Sequence, residues 1–295
     1  MGSPRSSLSI FVVSMAAIAA PHPGNGIIAL SARQAITGDA VGSRLLRFDQ
    51  GKTPYPLSSD FHCHWVTRGL NQRLYAETLS QVRGLWTDTV YRLDLNGALP
   101  SAIASGPEGT YGIFAVGRMG EIIRLRSGQI VAESRGRSKP FRGSGRPPSG
   151  TPRIESIHAI AWGPSDDLYL ADGARIRRIG ADGVVRIVAE INGPVTHPLY
   201  SHKGNQPRVW SLAVDPAGRI FAAVPSNGVV LRIDRDGKRH VLSRTQEDWA
   251  TTGVSLLGDT LFLLDSKTVG NRNYGPRVRT RSKDGVFGLI GLAGS

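Results

Sequence analysis

The sequence lacks most of the features that would place it quickly in a functional class. Its one cysteine, Cys63, excludes an internal disulfide. No stretch has the sustained apolar period of a long helix, and the chain has no phosphate-binding loop, nucleophile elbow or zinc-protease motif. The apolar run from Leu8 to Ala20 has thirteen residues, which is too short to span a membrane. A disulfide scaffold, a helical bundle and the enzymes defined by those motifs are therefore excluded.

Glycine and proline, by contrast, are plentiful. The 295 residues include 36 Gly and 18 Pro, and 40% of the chain is hydrophobic. This composition is typical of a globular protein with many turns and short strands, and it predicts an all-β fold. Basic residues outnumber acidic ones by 36 to 23, which gives a formal net charge of +13. A basic balance favours contacts with polyanions in general, but it does not indicate a fold.

The clearest local pattern lies between Ser156 and Glu190. Four short apolar runs follow one another there, and Asp182-Gly183 separates the last two. Asp-Gly between apolar runs strongly indicates a hairpin, because that turn needs positive φ at both central residues. One four-stranded meander buries little surface by itself, so it becomes stable only when copies stack against it.

Copies of this meander recur along the chain, each marked by an apolar pair expected to open its second strand. The pairs are 41 to 52 residues apart: Ile27-Ile28, Leu74-Tyr75, Ile122-Ile123, Leu168-Tyr169, Ile220-Phe221 and Leu261-Phe262. Six units of this size predict a six-bladed β-propeller of four-stranded antiparallel blades. The third unit departs from the pattern, because its Ser127-Gly128 turn comes early and its fourth strand is not evident. We expect the first and last blades to meet by side-chain packing, without strand exchange.

Residues 166–190, DDLYLADGARIRRIGADGVVRIVAE, resemble an NHL repeat. They share its small-residue–Asp step, its arginine-rich third strand and its Asp-Gly hairpin. The whole chain resembles the NHL-repeat and gluconolactonase-like six-bladed β-propellers, specifically over residues 156–290 and weakly before residue 60. The resemblance implies a fold more than an activity, since propellers host many functions. It also implies a divalent cation, because gluconolactonase-like enzymes bind one with acidic and amide side chains and NHL-type lyases bind a metal with histidines.

The N-terminal segment has two interpretations. Its apolar pattern parallels that of the fourth unit, which predicts that Phe11 to Ala20 forms the inner strand of the first blade. Residues 1–10 are then a tail, residues 11–295 form a single propeller domain, and a cytoplasmic location is slightly favoured. The alternative is a signal peptide with a cleavage site at residues 17–19. The sequence leaves the location open.

The topology of a meander indicates which face of the propeller would bind a ligand. The start of strand one, the loop between strands two and three, and the inter-blade connection share one face, which we call the long-loop face. Loops on a rigid scaffold are where binding sites usually lie. We expect four long insertions on this face: Thr78–Asp88, Glu133–Arg153, Glu190–Arg208 and Ser266–Pro276.

The insertion at residues 133–153 is strongly basic. It contains six Lys and Arg residues together with many Gly, Ser and Pro residues, a composition typical of a mobile, solvated loop. Basic side chains neutralise phosphates without reading a base sequence. Phe141 is the one aromatic side chain in the segment that could stack on a base. Nucleic acid is therefore disfavoured as a partner.

Histidines give the sharpest functional hypothesis. Ten residues before each apolar pair lies the expected start of an inner strand, at Ala17, His64, Gly112, His158, Trp210 and Thr251. Inner strands line the channel, so His64 and His158 are expected at its mouth, with His62 in the same strand phase as His64. Loop residues His197 and His202 would reach the same mouth. The hypothesis is a divalent metal (Zn or Ca) bound by His64, His158 and His62, and the alternative is hydrogen bonding across the channel.

Two acidic residues occupy equivalent places in their blades. Asp172 and Asp265 each follow a second strand on the long-loop face, where a carboxylate can bind a cation or act as a base, or can cap its own turn. Arg177, on a third strand, is expected to be solvated, and Cys63 is expected to pack within its blade. The predicted binding residues at the channel mouth are His64, His158, Trp210, Thr251, Asp172 and Asp265.

Two function classes remain open. The first is a monomeric NHL-type propeller that binds a small molecule or a protein through its long-loop face and channel mouth. The second is a metal-dependent hydrolase or lyase that acts at the same mouth. Metal content would discriminate between them, and the sequence names no catalytic residue.

Overall fold

The computed structural model describes residues 26–39, 44–58, 62–82, 85–94, 101–107, 111–143, 149–150, 152–196, 207–245, 248–269 and 272–293. These residues form six four-stranded antiparallel sheets, arranged as a β-propeller. The predicted all-β, six-bladed architecture is confirmed. No helix in these ranges has the length and apolar character needed to cross a membrane.

Each blade uses four consecutive strands, and the first strand of each blade is the innermost. Blades 1 and 2 contain β1 (Ile27–Ser31), β2 (Gln34–Asp39), β3 (Arg44–Asp49), β4 (Tyr55–Ser58), β5 (Cys63–Arg68), β6 (Leu74–Val82), β7 (Leu85–Leu93) and β8 (Ser101–Pro107). Blades 3 and 4 contain β9 (Phe114–Val116), β10 (Ile122–Arg126), β11 (Gln129–Ser134), β12 (Arg137–Pro140), β13 (Ala159–Trp162), β14 (Leu168–Asp172), β15 (Arg175–Ile179) and β16 (Val185–Glu190). Blades 5 and 6 contain β17 (Ser211–Val214), β18 (Ile220–Val224), β19 (Val229–Ile233), β20 (Arg239–Arg244), β21 (Trp249–Leu257), β22 (Thr260–Val269), β23 (Arg272–Arg281) and β24 (Phe287–Leu292).

Side-chain packing joins the two ends of the described chain. Sheets β1–β4 and β21–β24 are each continuous in sequence, so no strand is exchanged. Ile27 and Phe48 of blade 1 share one buried apolar cluster with Phe262 and Ile290 of blade 6. The stabilisation is roughly proportional to the apolar area that is buried. This cluster therefore holds the first and last blades together, as expected.

The first blade differs from its prediction by one strand. Five of the apolar pairs lie on second strands, but Ile27-Ile28 opens the inner strand β1. The prediction that Phe11–Ala20 supplies this strand is therefore wrong, and residues 11–20 lie outside the described ranges. The β1–β2 turn at residues 32–33 contains no Gly, Asn or Asp. The hairpin signal that marks the later blades is therefore absent here.

Two of the expected loops are strands. Thr78–Asp88 and Ser266–Pro276 fall largely within the long pairs β6–β7 and β22–β23. Each pair continues as a long two-stranded ribbon. Its polar residues interrupt the apolar alternation from which a strand is predicted. Of the insertion at Glu190–Arg208, residues 197–206 lie outside the described ranges, and so do His197 and His202.

The basic segment of blade 3 is also more ordered than expected. Arg137–Pro140 forms β12, the fourth strand of blade 3, and Ser127-Gly128 joins strands two and three. The predicted loop is therefore wrong for residues 137–140, although that strand is exposed to solvent as expected. The hairpin turn uses Arg135 and Gly136, both with positive φ, in place of Asp-Gly. Phe141 is buried, so it offers no free face for stacking on a base.

Candidate functional site at blade 2

The structure places the predicted channel residues at or beside the starts of inner strands. His64 lies on β5 and Thr251 on β21, while His158 and Trp210 directly precede β13 and β17. The backbone N–H groups of His158 and Trp210 donate to Ala171 and Ala223 at 2.9 Å, and so extend those strands by one residue. The side-chain surroundings of these residues differ from blade to blade, and that difference identifies the candidate site.

Asp172 and Asp265 are structural carboxylates. Arg177 Nη2 lies 2.7 Å from Asp172 Oδ2, and the Arg177 side chain is fully buried, so the predicted solvated arginine is wrong. Asp172 also accepts long hydrogen bonds from the backbone of Glu155 and Ser156, in the preceding connection rather than in its own turn. A buried carboxylate needs such partners, and Arg177 meets that need from the neighbouring strand.

Asp265 is held in the same way but by two arginines. It is completely buried, and it accepts hydrogen bonds from Arg277 Nη2 at 2.9 Å and from Arg279 Nη2 at 3.1 Å. Thr251 Oγ1 donates at 2.7 Å to Oδ1, the oxygen that also accepts from Arg279 Nη2. With its acceptor sites used within blade 6, Asp265 is not available as a base or a cation ligand.

Blade 2 contains acidic residues that are not balanced in this way. We define the blade 2 acid–histidine cluster as His62, His64, Glu77, Asp88 and Tyr111. His64 Nδ1 lies 3.6 Å from Glu77 Oε2, the His62 and His64 rings meet edge to face at 4.4 Å, and the Tyr111 backbone N–H donates to Asp88 at 3.1 Å. Within the described residues, no arginine or lysine forms an ion pair with Glu77 or Asp88. Glu77 Oε2 is buried and has no hydrogen-bond partner in that part of the chain.

Burial sets the protonation states in this cluster. It raises the pKa of Glu77 to about 8, assisted by the negative charge of Asp88 and opposed by a hydrogen bond from the His64 backbone. Burial also lowers the pKa of His64, against the pull of Asp88. The pKa of His62 is lowered by burial and then by His64. Near neutral pH, the cluster therefore holds a protonated carboxyl group beside two neutral imidazoles.

The position of Glu77 explains its unusual state. Glu77 lies three residues after the start of its apolar pair, where blades 4, 5 and 6 have the fully buried residues Ala171, Ala223 and Leu264. An acid therefore occupies a core position of the repeat. The signal in the sequence is a glutamate at this position of the repeat unit, and the sequence analysis, which singled out the histidines, does not include it.

A β-bulge orients the histidine side of the cluster. The pairing of β5 with β6 shifts register between Cys63 and Trp65, so His64 is the extra residue. Bulges redirect a side chain and are common beside functional sites. Cys63 is fully buried, as expected, and burial raises the pKa of its thiol. His64 keeps 20% of its side chain exposed, against 2% for Glu77, so the imidazole lies between solvent and the buried acid.

His158 has a different set of neighbours. Its Nε2 lies 3.2 Å from Ser156 Oγ, and its pKa is lowered by burial and by Arg208, with Asp172 acting in the opposite direction. None of these groups belongs to the blade 2 cluster. The side chains that affect His158 therefore differ from those around His64, and a metal site shared by the two histidines stays a prediction.

Comparisons with known proteins support the fold alone. No family model matches the chain, and no curated protein matches its sequence. Similar solved structures include a gluconolactonase from Xanthomonas campestris, with 18% identity over 84% of this chain and 83% of that one and a TM-score of 0.51. The calcium-binding protein regucalcin from Agrobacterium tumefaciens has 13% identity over 82% of this chain and 81% of that one, with a TM-score of 0.52. Virginiamycin B lyase from Staphylococcus aureus has 13% identity over 92% of this chain and 84% of that one, with a TM-score of 0.50. The chain thus shares the six-bladed fold of these proteins, as its sequence indicated.

The described residues do not fit the divalent cation that this fold implies. They contain no group of three or more His, Cys, Asp or Glu side chains arranged to hold a metal ion. Asp172 and Asp265 are occupied by arginines, and burial favours a protonated Glu77, whereas metal ligands must be deprotonated. The chemistry of blade 2 is therefore better described by proton donors and acceptors.

Proposed function

We propose that this protein is a propeller that binds a small, uncharged molecule rich in hydroxyl and carbonyl oxygens at the blade 2 acid–histidine cluster. The observation that supports the proposal most is the buried carboxyl group of Glu77 at a core position, where no Arg or Lys among the described residues pairs with it and burial raises its pKa to about 8. A protonated carboxyl group donates one hydrogen bond, and each neutral imidazole both donates and accepts. Such a set matches hydroxyl and carbonyl groups and would not attract a charged ligand strongly.

The surroundings of the cluster support ligand access at the channel mouth. The start of β5 lies on the long-loop face, and the β6–β7 ribbon rises beside it. His62 and His64 are partly exposed, so a ligand can reach them without unfolding the blade. Binding by a monomer is part of this proposal, with a protein partner at the same face as the alternative ligand.

A second candidate function is acid–base hydrolysis or elimination at the same cluster. Pairs of titratable groups whose environments shift their pKa values in opposite directions are typical of catalytic sites, and here the pKa of Glu77 is raised while that of His64 is lowered. Here His64 would accept a proton from water or from the substrate, and Glu77 would donate one to the leaving oxygen. The similarity to a gluconolactonase and a lyase in fold favours testing lactones and esters first.

Thermal shift against a panel of neutral sugar lactones, polyols and esters tests the binding proposal. We expect at least one class to raise the melting temperature of the wild-type protein, and Glu77→Leu and His64→Ala to abolish that rise. His158→Ala is the matched control, because its imidazole lies outside the cluster, and it should retain the full shift. Retention of binding by Glu77→Leu, or its loss in His158→Ala, would contradict the proposal.

The same samples distinguish binding from catalysis and from metal binding. Proton release on mixing with a lactone or ester would establish hydrolysis, and its loss in Glu77→Gln would assign the acid. Titration with Zn²⁺ and Ca²⁺ tests for metal binding. Uptake of one equivalent that disappears in both His64→Ala and His158→Ala would restore the metal site predicted from the sequence and overturn the metal-free description.

A further inference from the structure

A second cavity lies between blades 3 and 4, away from the blade 2 cluster. Its volume is about 780 Å³, within the range of small-molecule sites. Met119 and Asp166 come from the turns between strands one and two, at the opposite edge of the blades from the starts of the inner strands. Strand β12, which the sequence did not reveal, forms one wall.

One side of the cavity is apolar and aromatic. The rings of Phe141 and Trp162 meet at 6.2 Å with an interplanar angle of 63°. Trp162 Nε1 donates to the Val116 carbonyl at 3.1 Å, so the polar atom of the indole is satisfied. Leu70 and the highly exposed Met119 complete this side. Flat apolar molecules pack well against such surfaces.

The other side is cationic. Four basic residues line the cavity, against two acidic ones: Arg118, Arg137, Lys139, Arg142, Glu121 and Asp166. Arg118 is neutralised by Asp166 through two hydrogen bonds, of 2.7 and 2.8 Å. Arg137 and Lys139 are both exposed on β12, and residues two apart share one face of a strand.

Arg142 links the two sides. Its guanidinium lies 5.1 Å from the centre of the Phe141 ring, and its Nη2 donates to the Asp166 carbonyl at 2.7 Å. Its Nη1 is buried and has no hydrogen-bond partner among the described residues, although Asp167 Oδ1 lies 3.9 Å away. Asp167 is too far away for a hydrogen bond and balances the guanidinium only in part, while 21% of the Arg142 side chain stays exposed, so its charge can attract an anion in the cavity.

We propose that this groove binds an amphipathic anion, namely a small molecule with an aromatic body and a carboxylate, sulfonate or phosphate group. The aromatic body lies against Trp162 and Met119, with the buried Phe141 ring supporting Trp162 from behind, and the anionic group faces Arg142 and Lys139. Planar guanidinium groups suit such oxyanions well. The site is independent of the proposed function at blade 2, since the two share no residue.

Titration with 1-anilinonaphthalene-8-sulfonate, an aromatic sulfonate whose fluorescence rises in apolar sites, tests the proposal. We expect saturable binding of one equivalent to the full chain, weakened about ten-fold by Lys139→Glu and by Arg142→Gln through loss of a charge-assisted contact. The neutral analogue N-phenyl-1-naphthylamine should bind at least about ten-fold more weakly than the sulfonate. Lys238→Glu, on the exposed β19–β20 turn of blade 5, makes the same charge change elsewhere and should leave the affinity unchanged.

Lys139→Glu is the decisive variant, because the exposed lysine side chain is not needed for folding. Arg142→Gln is less specific, since it also disturbs the packing on Phe141. Equal affinity of wild type and Lys139→Glu would overturn the proposal. Equal affinity for the sulfonate and the neutral analogue would also overturn the proposal. A ten-fold loss of sulfonate affinity in the control Lys238→Glu would do the same. Binding of an acidic peptide by the full chain, with no binding of the sulfonate, would indicate a protein partner instead and contradict the small-molecule assignment.

Discussion

Blades 2 and 6 use the same backbone device for different purposes. In each, the inner strand contains a bulge near its start, at His64 in β5 and at Thr252 in β21. In each, strands two and three continue as a long ribbon, β6–β7 in blade 2 and β22–β23 in blade 6. Similar backbones therefore present two different sets of polar side chains.

The two blades differ in how the buried acid is treated. In blade 6, Asp265 is paired with Arg277 and Arg279, and the preceding residue, Leu264, belongs to the apolar contact with blade 1. In blade 2, Thr78 replaces the aspartate, and the acid Glu77 takes the leucine position. Blade 6 thus uses its acid to stabilise the fold. Blade 2 keeps an acid protonated by burial, a state that favours binding or proton transfer over stability.

The largest expected effect comes from moving the blade 2 acid into blade 6. Leu264→Glu removes a fully buried side chain, at about 1.5–3 kcal/mol, and adds a carboxyl group without a partner. We expect the free energy of unfolding to fall by about 5 kcal/mol or more near pH 8.5, because the acid ionises freely in the unfolded chain but is disfavoured in its charged form when buried. Urea unfolding measures this loss. Leu289→Glu, on the exposed face of β24, is the control, and equal losses in both variants would refute the comparison.

Breaking the ion pair of blade 6 should come next in size. Asp265→Asn leaves two largely buried arginines without their carboxylate, and such a loss costs about 3–5 kcal/mol. Thermal and urea unfolding measure it. Asp182→Asn breaks the exposed pair with Arg186 and should leave the unfolding transition where it is. An unchanged transition in Asp265→Asn would mean that the pair does not stabilise the blade.

A pH-dependent effect should follow from Glu77. The folded protein keeps this proton up to about pH 8, whereas the unfolded chain releases it near pH 4.5. Between these values the free energy of unfolding therefore falls as pH rises, by up to about 1.4 kcal/mol per pH unit. His62 and His64, with lowered pKa values, act in the opposite direction below about pH 6.5, because the unfolded chain then binds their protons more readily.

Glu77→Gln separates these two contributions. The amide keeps the shape of the side chain but does not titrate, so the fall in stability towards about pH 8 should disappear, while the histidine effect at lower pH remains. Unfolding series in urea between about pH 5 and pH 9 measure both slopes. If the variant and the wild type have parallel curves, Glu77 does not hold a proton in the folded protein.

The smallest effect should come from Thr251. Thr251→Val removes the hydroxyl that donates to Asp265 at 2.7 Å and keeps the side-chain volume. Hydrogen bonds to charged groups contribute about 1.5–3 kcal/mol, and the two arginines remain, so we expect the lower end of that range. Thermal unfolding measures it. A loss as large as that of Asp265→Asn would show that the threonine, rather than the arginines, holds the carboxylate.

The repeat made the fold predictable from the sequence. Apolar pairs and Asp-Gly turns indicate strands and hairpins through local chemistry, and Leu168-Tyr169 with Asp182-Gly183 located blade 4 correctly. The predictions failed where that chemistry was absent. The first blade turns without a Gly or Asp at residues 32–33, and blade 3 uses Arg135 and Gly136.

The site was less predictable, because it depends on partners from other strands. The sequence predicted a solvated Arg177, because it lies on an arginine-rich strand. In the structure Arg177 is fully buried and forms an ion pair with Asp172 on the neighbouring strand. His64 and His158 occupy similar places in the repeat, but different side chains lie beside them. Glu77 was not among the residues predicted from the sequence, although it stands at a core position where blades 4, 5 and 6 have Ala or Leu.

The titration of Glu77 tests the central claim most directly. Carbon-13 NMR of the side-chain carboxyl groups, with the Glu77 resonance assigned by its absence in Glu77→Gln, follows its ionisation in the folded protein. We predict a midpoint of about 8. A midpoint close to the ordinary value of 4.5 would mean that Glu77 is ionised at neutral pH, and would contradict a protonated acid at the blade 2 cluster.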